Sequence, residues 1–126
     1  MGTRSRLTAA SCATLLLTGC AIAPSFTDGE KREMRETTSD YQQAVLEDLV
    51  VTETEYRDAV DELRSCVQDK GLGVWPLEEH DCNQLGFQSS YGGENAPSNE
   101  DRQACDDEFM TQVGPIWVSQ RTPLTQ

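Results

Sequence analysis

The chain has 126 residues with 22 acidic against 10 basic side chains, a formal charge of −12, and an aromatic content of only 6%. So acidic a chain is a poor partner for nucleic acid or any other polyanion. Its length suits one small domain, with a weak core if burial alone must hold it.

At the N-terminus, Arg4 and Arg6 precede an apolar run ending in Leu15-Leu16-Leu17, followed by the small residues Thr18-Gly19. This order is that of a secretory signal peptide, too short to cross a bilayer of roughly 30 Å as a permanent helix. The next residue narrows the reading: Leu17-Thr18-Gly19-Cys20 resembles the lipobox of bacterial lipoproteins, a likeness confined to the first twenty residues. The resemblance implies that the Cys20 thiol carries a diacylglyceryl group, that the bond after Gly19 is cut, and that Cys20 begins the mature chain. Two acyl chains hold where one is marginal, because each buried methylene contributes about 0.8 kcal/mol. This lipid is the one covalent group expected, with no other cofactor. Loss of residues 1–19 leaves eight basic and 22 acidic side chains, a formal charge of −14. Anionic headgroups would repel that surface, so membrane contact would depend on the acyl chains.

Residues 20–38 read as a flexible tether. Pro24, Ser25, Asp28 and Gly29 lie in its first part, and the charged stretch from Glu30 to Thr38 has almost no apolar stripe, so a helix there would have little to pack against. The domain itself is expected over 39–126. Ser39 followed by Gln42 is a capping-box signature for a helix from Asp40 to about Asp48, with Tyr41, Val45 and Leu46 on one face. Thr52 and Glu55 form a second capping box, flanked by Val51 and Tyr56 at the positions of a hydrophobic staple. Tyr56, Val60, Leu63 and Val67 then make one helical stripe, which Gly71 or Gly73 ends. A single helix from Asp40 to Lys70 is the main alternative. Asp48, Val51 and Glu55 imitate the back half of a calcium loop, but Ala44, Leu46 and Leu49 stand where carboxylates and a turn glycine are needed, so no calcium site is expected.

The runs Gly73–Leu77 and Gln84–Gln88 predict a small hairpin in which Pro76 confines its strand to an edge. A Gly-, Ser- and Asn-rich loop follows over 89–97. Ser98 then caps a helix from about Asn99 to Val113, Gly114-Pro115 breaks it, and Ile116, Trp117 and Val118 return as a final packing segment. The fold class expected is mainly α with a small β-hairpin, in the order helix, helix, hairpin, helix, with one interhelical disulfide.

With Cys20 acylated, the domain holds Cys66, Cys82 and Cys105 in a compartment where disulfides persist. Three pairings are open. Cys66 and Cys105 each sit beside an apolar stripe within a predicted helix, whereas Cys82 falls in the hairpin turn. Cys66–Cys105 is therefore the favoured bridge, and Cys82 the expected spare thiol. The run Val51-Thr52-Glu53-Thr54-Glu55-Tyr56-Arg57-Asp58-Ala59, then Cys66-Val67-Gln68-Asp69-Lys70-Gly71, a later Cys105 and Trp117, resembles small uncharacterised lipoproteins of actinobacteria. Those commonly have acid-Gly before the Val-Thr, where this chain has Leu49. The resemblance spans about 42–117, implies a disulfide between the two helical cysteines, and brings no known activity.

The densest chemistry is Glu78-Glu79-His80-Asp81-Cys82, which pairs the single histidine with the spare thiol. Adjacent turn residues splay outward, and neither the third and fourth ligands of a zinc site nor the partners of a catalytic cysteine are evident. No catalytic or metal-ligating residue is assigned. The expected protein is a lipid-anchored module on the extracytoplasmic face of the plasma membrane, binding or structural in role, with an unknown envelope protein or ligand as partner. The alternative is redox or metal-binding chemistry at Cys82 and His80. A binding surface would draw on Trp75, Phe87, Tyr91 or Trp117.

Overall fold

The computed structural model describes residues 25–80, 83–90 and 99–121. The architecture is mainly helical with one antiparallel hairpin: α1 (Asp28–Glu36), α2 (Asp40–Val45), α3 (Glu53–Asp69), β1 (Glu78–Glu79), β2 (Leu85–Gly86), α4 (Asn99–Phe109) and α5 (Val113–Arg121). The expected class and the interhelical disulfide are both present. Two helices were not foreseen, one at each end.

The first lies inside the expected tether. The Thr27 hydroxyl accepts from the Glu30 amide while the Glu30 carboxylate accepts from the Thr27 amide, a reciprocal capping box that starts α1. No residue of α1 is buried, yet Met34 and the preceding Phe26 lean on the main core. Arg35 donates to the Glu47 carbonyl at 3.0 Å, fixing α1 against the turn after α2. Two apolar contacts and a cap suffice where a continuous stripe is lacking.

At the start of α2, Ser39 accepts from the Gln42 amide at 3.2 Å, but the other half of the expected capping box is absent. The Gln42 side chain has left the helix end for the interior, where it is fully buried. After Val45 the chain turns instead of continuing to Asp48, and Leu49 adopts a left-handed φ of 63°. Asp48 Oδ1 accepts from the Val50 amide at 3.0 Å across that turn. Glycine reaches this conformation without a Cβ penalty; leucine does not. Two helices are formed here, not one continuous helix.

The Thr52/Glu55 capping box of α3 is complete, and Val51 and Tyr56 are both buried in the same cluster as the staple requires. Tyr56, Ala59, Val60, Leu63 and Val67 form the buried stripe. Gly71 at φ 97° closes the helix: its amide bonds to the Gln68 carbonyl at 2.9 Å and the Leu72 amide to the Val67 carbonyl at 3.4 Å, with Leu72 and Val67 packed together.

In the hairpin Glu78 faces Gly86 and Glu79 faces Leu85, while Val74 bridges to Ser89 nearer the open end. Four steps separate Val74 from Glu78 but three separate Gly86 from Ser89, so the strand of Pro76 carries one extra residue. That bulge explains why the regular pairing falls at 78–79 and not within the expected 73–77: proline cannot donate to the ladder, and the register slips past it.

The helix expected to run to Val113 stops at Phe109, and Gly114-Pro115 does not break a helix but begins one. Pro115 lies in the first turn of α5, where its missing N–H would have had no intrahelical partner. The expected cap Ser98 lies outside the described residues. Gln42 joins the two helices from across the fold. Its Oε1 accepts from the Gln112 and Val113 amides at 2.7 and 3.1 Å, and its Nε2 donates to the Asp107 carbonyl at 2.7 Å and to Thr111 Oγ1 at 3.2 Å. One buried amide thus satisfies backbone groups at the end of α4 and the start of α5. Ser39 adds a bond to the Glu108 carbonyl, and Gln120 pairs with both the amide and the carbonyl of Val51, at 2.8 and 2.7 Å.

The core divides in two. The larger cluster gathers Leu46, Val51, Tyr56, Ala59, Val60, Val113, Ile116 and Trp117; the smaller holds Leu63, Val67, Leu72 and Cys105. The Cys66–Cys105 disulfide links α3 to α4 beside the smaller cluster, with Cα atoms 5.8 Å apart. Closing a loop of 39 residues contributes about 4 kcal/mol in the chain-entropy description.

Candidate functional site

The two clusters do not merge completely. Phe87 and Met110 pack against both, and between them opens a cleft of about 450 Å³ bounded by α3, the hairpin, α4 and α5. Tyr56, Val60 and Leu63 of the α3 stripe form its floor. Phe87 after β2, Met110 at the turn between α4 and α5, and Pro115 and Val118 of α5 line the rest of it. The short hairpin is held to the helices by polar anchors as well as by Leu77, Leu85 and Phe87 against the core.

Those anchors come from a stacked aromatic pair. The rings of Tyr56 and Trp117 lie 4.9 Å apart at 15°. The Tyr56 hydroxyl accepts from the Leu85 amide at 3.0 Å and meets the Leu85 carbonyl at 3.5 Å, while the Trp117 indole donates to the Asn83 carbonyl at 3.2 Å. Burial pushes the Tyr56 hydroxyl above its ordinary pKa, with the hydrogen bond to the Leu85 backbone acting against that shift. Arg64 holds the first hairpin arm through the Trp75 carbonyl at 3.0 Å. Arg57 reaches Glu53 and Glu79, each at 3.1 Å, in an exposed arrangement that adds little stability.

Among the described residues, Arg102 is the one charged residue lining the cleft. It is also the only Lys or Arg between Lys70 and Arg121. Its Nη1 donates to the buried Ser89 hydroxyl at 2.6 Å, and its guanidinium lies 5.8 Å from the centre of the Phe87 ring. One turn further along α4, burial pushes the Asp106 carboxyl up, with the Arg102 charge acting against that shift and Asp107 adding to it. The sequence offered two signals for this site, Phe87 among the aromatic residues expected at a binding surface and a solitary cation in an acidic segment. Most of the apolar walls could not be read as a site because Tyr56, Val60 and Leu63 also serve the core stripe of α3.

The residues singled out beforehand are dispersed. Cys66 and Cys105 meet as expected; Cys20, Asp81, Cys82 and Tyr91 lie outside the described residues. Glu78, Glu79 and His80 are exposed, and His80 lies against Gly86 so closely that a Cβ there would come within 2.8 Å of its Nε2. Among the described residues no group of three His, Cys, Asp or Glu side chains could hold a metal ion. Asp48 and Glu55, which imitated calcium ligands, are engaged in a turn and a helix cap. Of the aromatic residues expected at a binding surface, Trp75 is 50% exposed, Phe87 is half-buried in the cleft wall, and Trp117 is inside the core at 1%.

No helix among the described residues is long and apolar enough to cross a membrane. Compared with known proteins, the chain matches no family model, no curated protein and no solved structure.

Proposed function

We propose that the protein is a lipid-anchored lipoprotein of the cell envelope, whose small disulfide-stapled body is a binding or structural module on the extracytoplasmic face of the plasma membrane. The observation that carries the reading is Leu17-Thr18-Gly19-Cys20 placed directly after the Arg4/Arg6 and leucine-rich segment. The interhelical disulfide supports it, since such bonds persist in oxidising compartments. The acidity is in keeping with it too: a body that anionic headgroups repel needs acyl chains to stay at a membrane. The cleft beside Arg102 supports a binding role.

Cells expressing the chain are grown with an alkyne analogue of palmitate, and incorporation is compared between the native sequence and Cys20→Ala. Label on the native chain, lost in Cys20→Ala together with detergent-phase partitioning, is the expected result. Equal or absent label in both would overturn the anchoring.

A further inference from the structure

The cleft combines three properties that restrict what it can hold. Its volume of about 450 Å³ falls within the roughly 300–1,000 Å³ usual for small-molecule sites. Its floor is apolar, with Val60 and Leu63 only 2% and 7% exposed. Among the described residues its single charge is the Arg102 guanidinium, which sits at the ring of Phe87 and is steadied by Ser89.

A guanidinium has five N–H donors in a planar fork that fits the two oxygens of a carboxylate. Such a pair gains strength beside apolar walls, where water does not compete. Elsewhere the excess of acid repels anions, so a small hydrophilic anion would gain little here. An anion carrying an apolar chain is different, because each methylene it buries contributes to binding. Charge also selects the head: one guanidinium pairs fully with a singly charged carboxylate but leaves part of a doubly charged phosphate unpaired beside apolar walls.

We infer that the cleft binds a long-chain carboxylic acid, with its chain against Val60, Leu63 and Phe87 and its carboxylate on Arg102. This deepens the proposal that the body is a binding module and rests on it, but does not depend on the lipid at Cys20. Met110, unbranched and adaptable, lets the wall follow chains of different shape.

The test uses the full chain as isolated from cells, exposed to a palmitic-acid analogue with a diazirine in its chain, in parallel with the matching fatty alcohol. After irradiation, crosslinks from the acid should concentrate in the peptides containing Leu85–Phe87 and Met110–Val118. Arg102→Gln should raise the acid concentration needed for half-labelling about tenfold and leave the alcohol unchanged, as loss of one charge-assisted contact implies. Arg102→Lys should recover part of the loss, and Val118→Phe, which fills the cleft, should lower labelling by both probes. The map on the native chain stands whether or not a variant folds, and retention of the Cys66–Cys105 bond checks each variant. Crosslinks scattered along the native chain, or acid and alcohol responding alike to Arg102→Gln, would overturn the inference. Failure of palmitate incorporation at Cys20 would leave it intact, so the two proposals fail separately.

Discussion

The two halves of α3 face different cores, and they are secured by different means. The first half contributes Tyr56, Ala59 and Val60 to the larger cluster, where α2 and α5 close over it and the amides of Gln42 and Gln120 satisfy the helix ends and linker around it. The second half contributes Leu63 and Val67 to a cluster of four, one member of which is a disulfide-bonded cysteine. Where enough apolar surface can be buried, polar side chains complete the backbone; where it cannot, a covalent bond substitutes. The cleft lies along the seam between these two solutions.

Removing the centre of the larger cluster should have the greatest effect. Trp117→Ala deletes a fully buried ring, its stack on Tyr56 and its bond to the hairpin, at a cost of about 3–5 kcal/mol. In urea titration the variant should be mostly unfolded before denaturant is added, since that cost rivals a small domain's whole stability. Nearly as large, the double change Cys66→Ser with Cys105→Ser should lower stability by about 4 kcal/mol. Hydrogen exchange read by mass spectrometry would sharpen the contrast: amides around Leu63–Leu72 and α4 should lose protection before those of α2 and α5. Uniform loss across both halves would show that the two clusters act as one unit.

Gln42→Ala tests the larger cluster's polar closure. It leaves the Asp107 carbonyl and the Gln112 and Val113 amides without that partner and should cost about 1–3 kcal/mol, measured by thermal melting. The smallest effect is expected at Leu49. Because its φ is 63°, Leu49→Gly should be about 1 kcal/mol more stable than Leu49→Ala, reversing the order found in helices. If alanine proves the better residue there, the turn before α3 is not left-handed in solution.

Much of the helical framework was legible because its signals are local. The Ser39 and Thr52 caps, the Val51/Tyr56 staple and the Tyr56–Val67 stripe each involve residues within a few positions of one another, and all are realised. The pairing of Cys66 with Cys105 was legible for a related reason, since both lay beside stripes that had to face a core. What escaped depends on distant partners. Gln42 looked like half of a capping box, yet residues about seventy positions away draw it inward. Pro115 looked like a breaker until α5 was seen to start just before it. The hairpin slipped because Pro76 adds a bulge whose position local pattern does not set. The cleft is wholly tertiary, and of its lining only Phe87, as a candidate binding aromatic, and Arg102, as a solitary cation, carried a trace in the linear pattern.

The two tryptophans occupy opposite environments, Trp117 at 1% exposure against Tyr56 and Trp75 at 50% on the hairpin arm. The protein therefore has two optical reporters that differ in colour and quenching. Emission from Trp117 should lie to the blue and resist acrylamide, while that from Trp75 should lie to the red and be quenched readily. Iodide should quench Trp75 less efficiently than acrylamide does, because a surrounding excess of carboxylates lowers the local concentration of an anion. A shift confined to the red component would report an event at the hairpin arm, and a shift in the blue one would report the opening of the core.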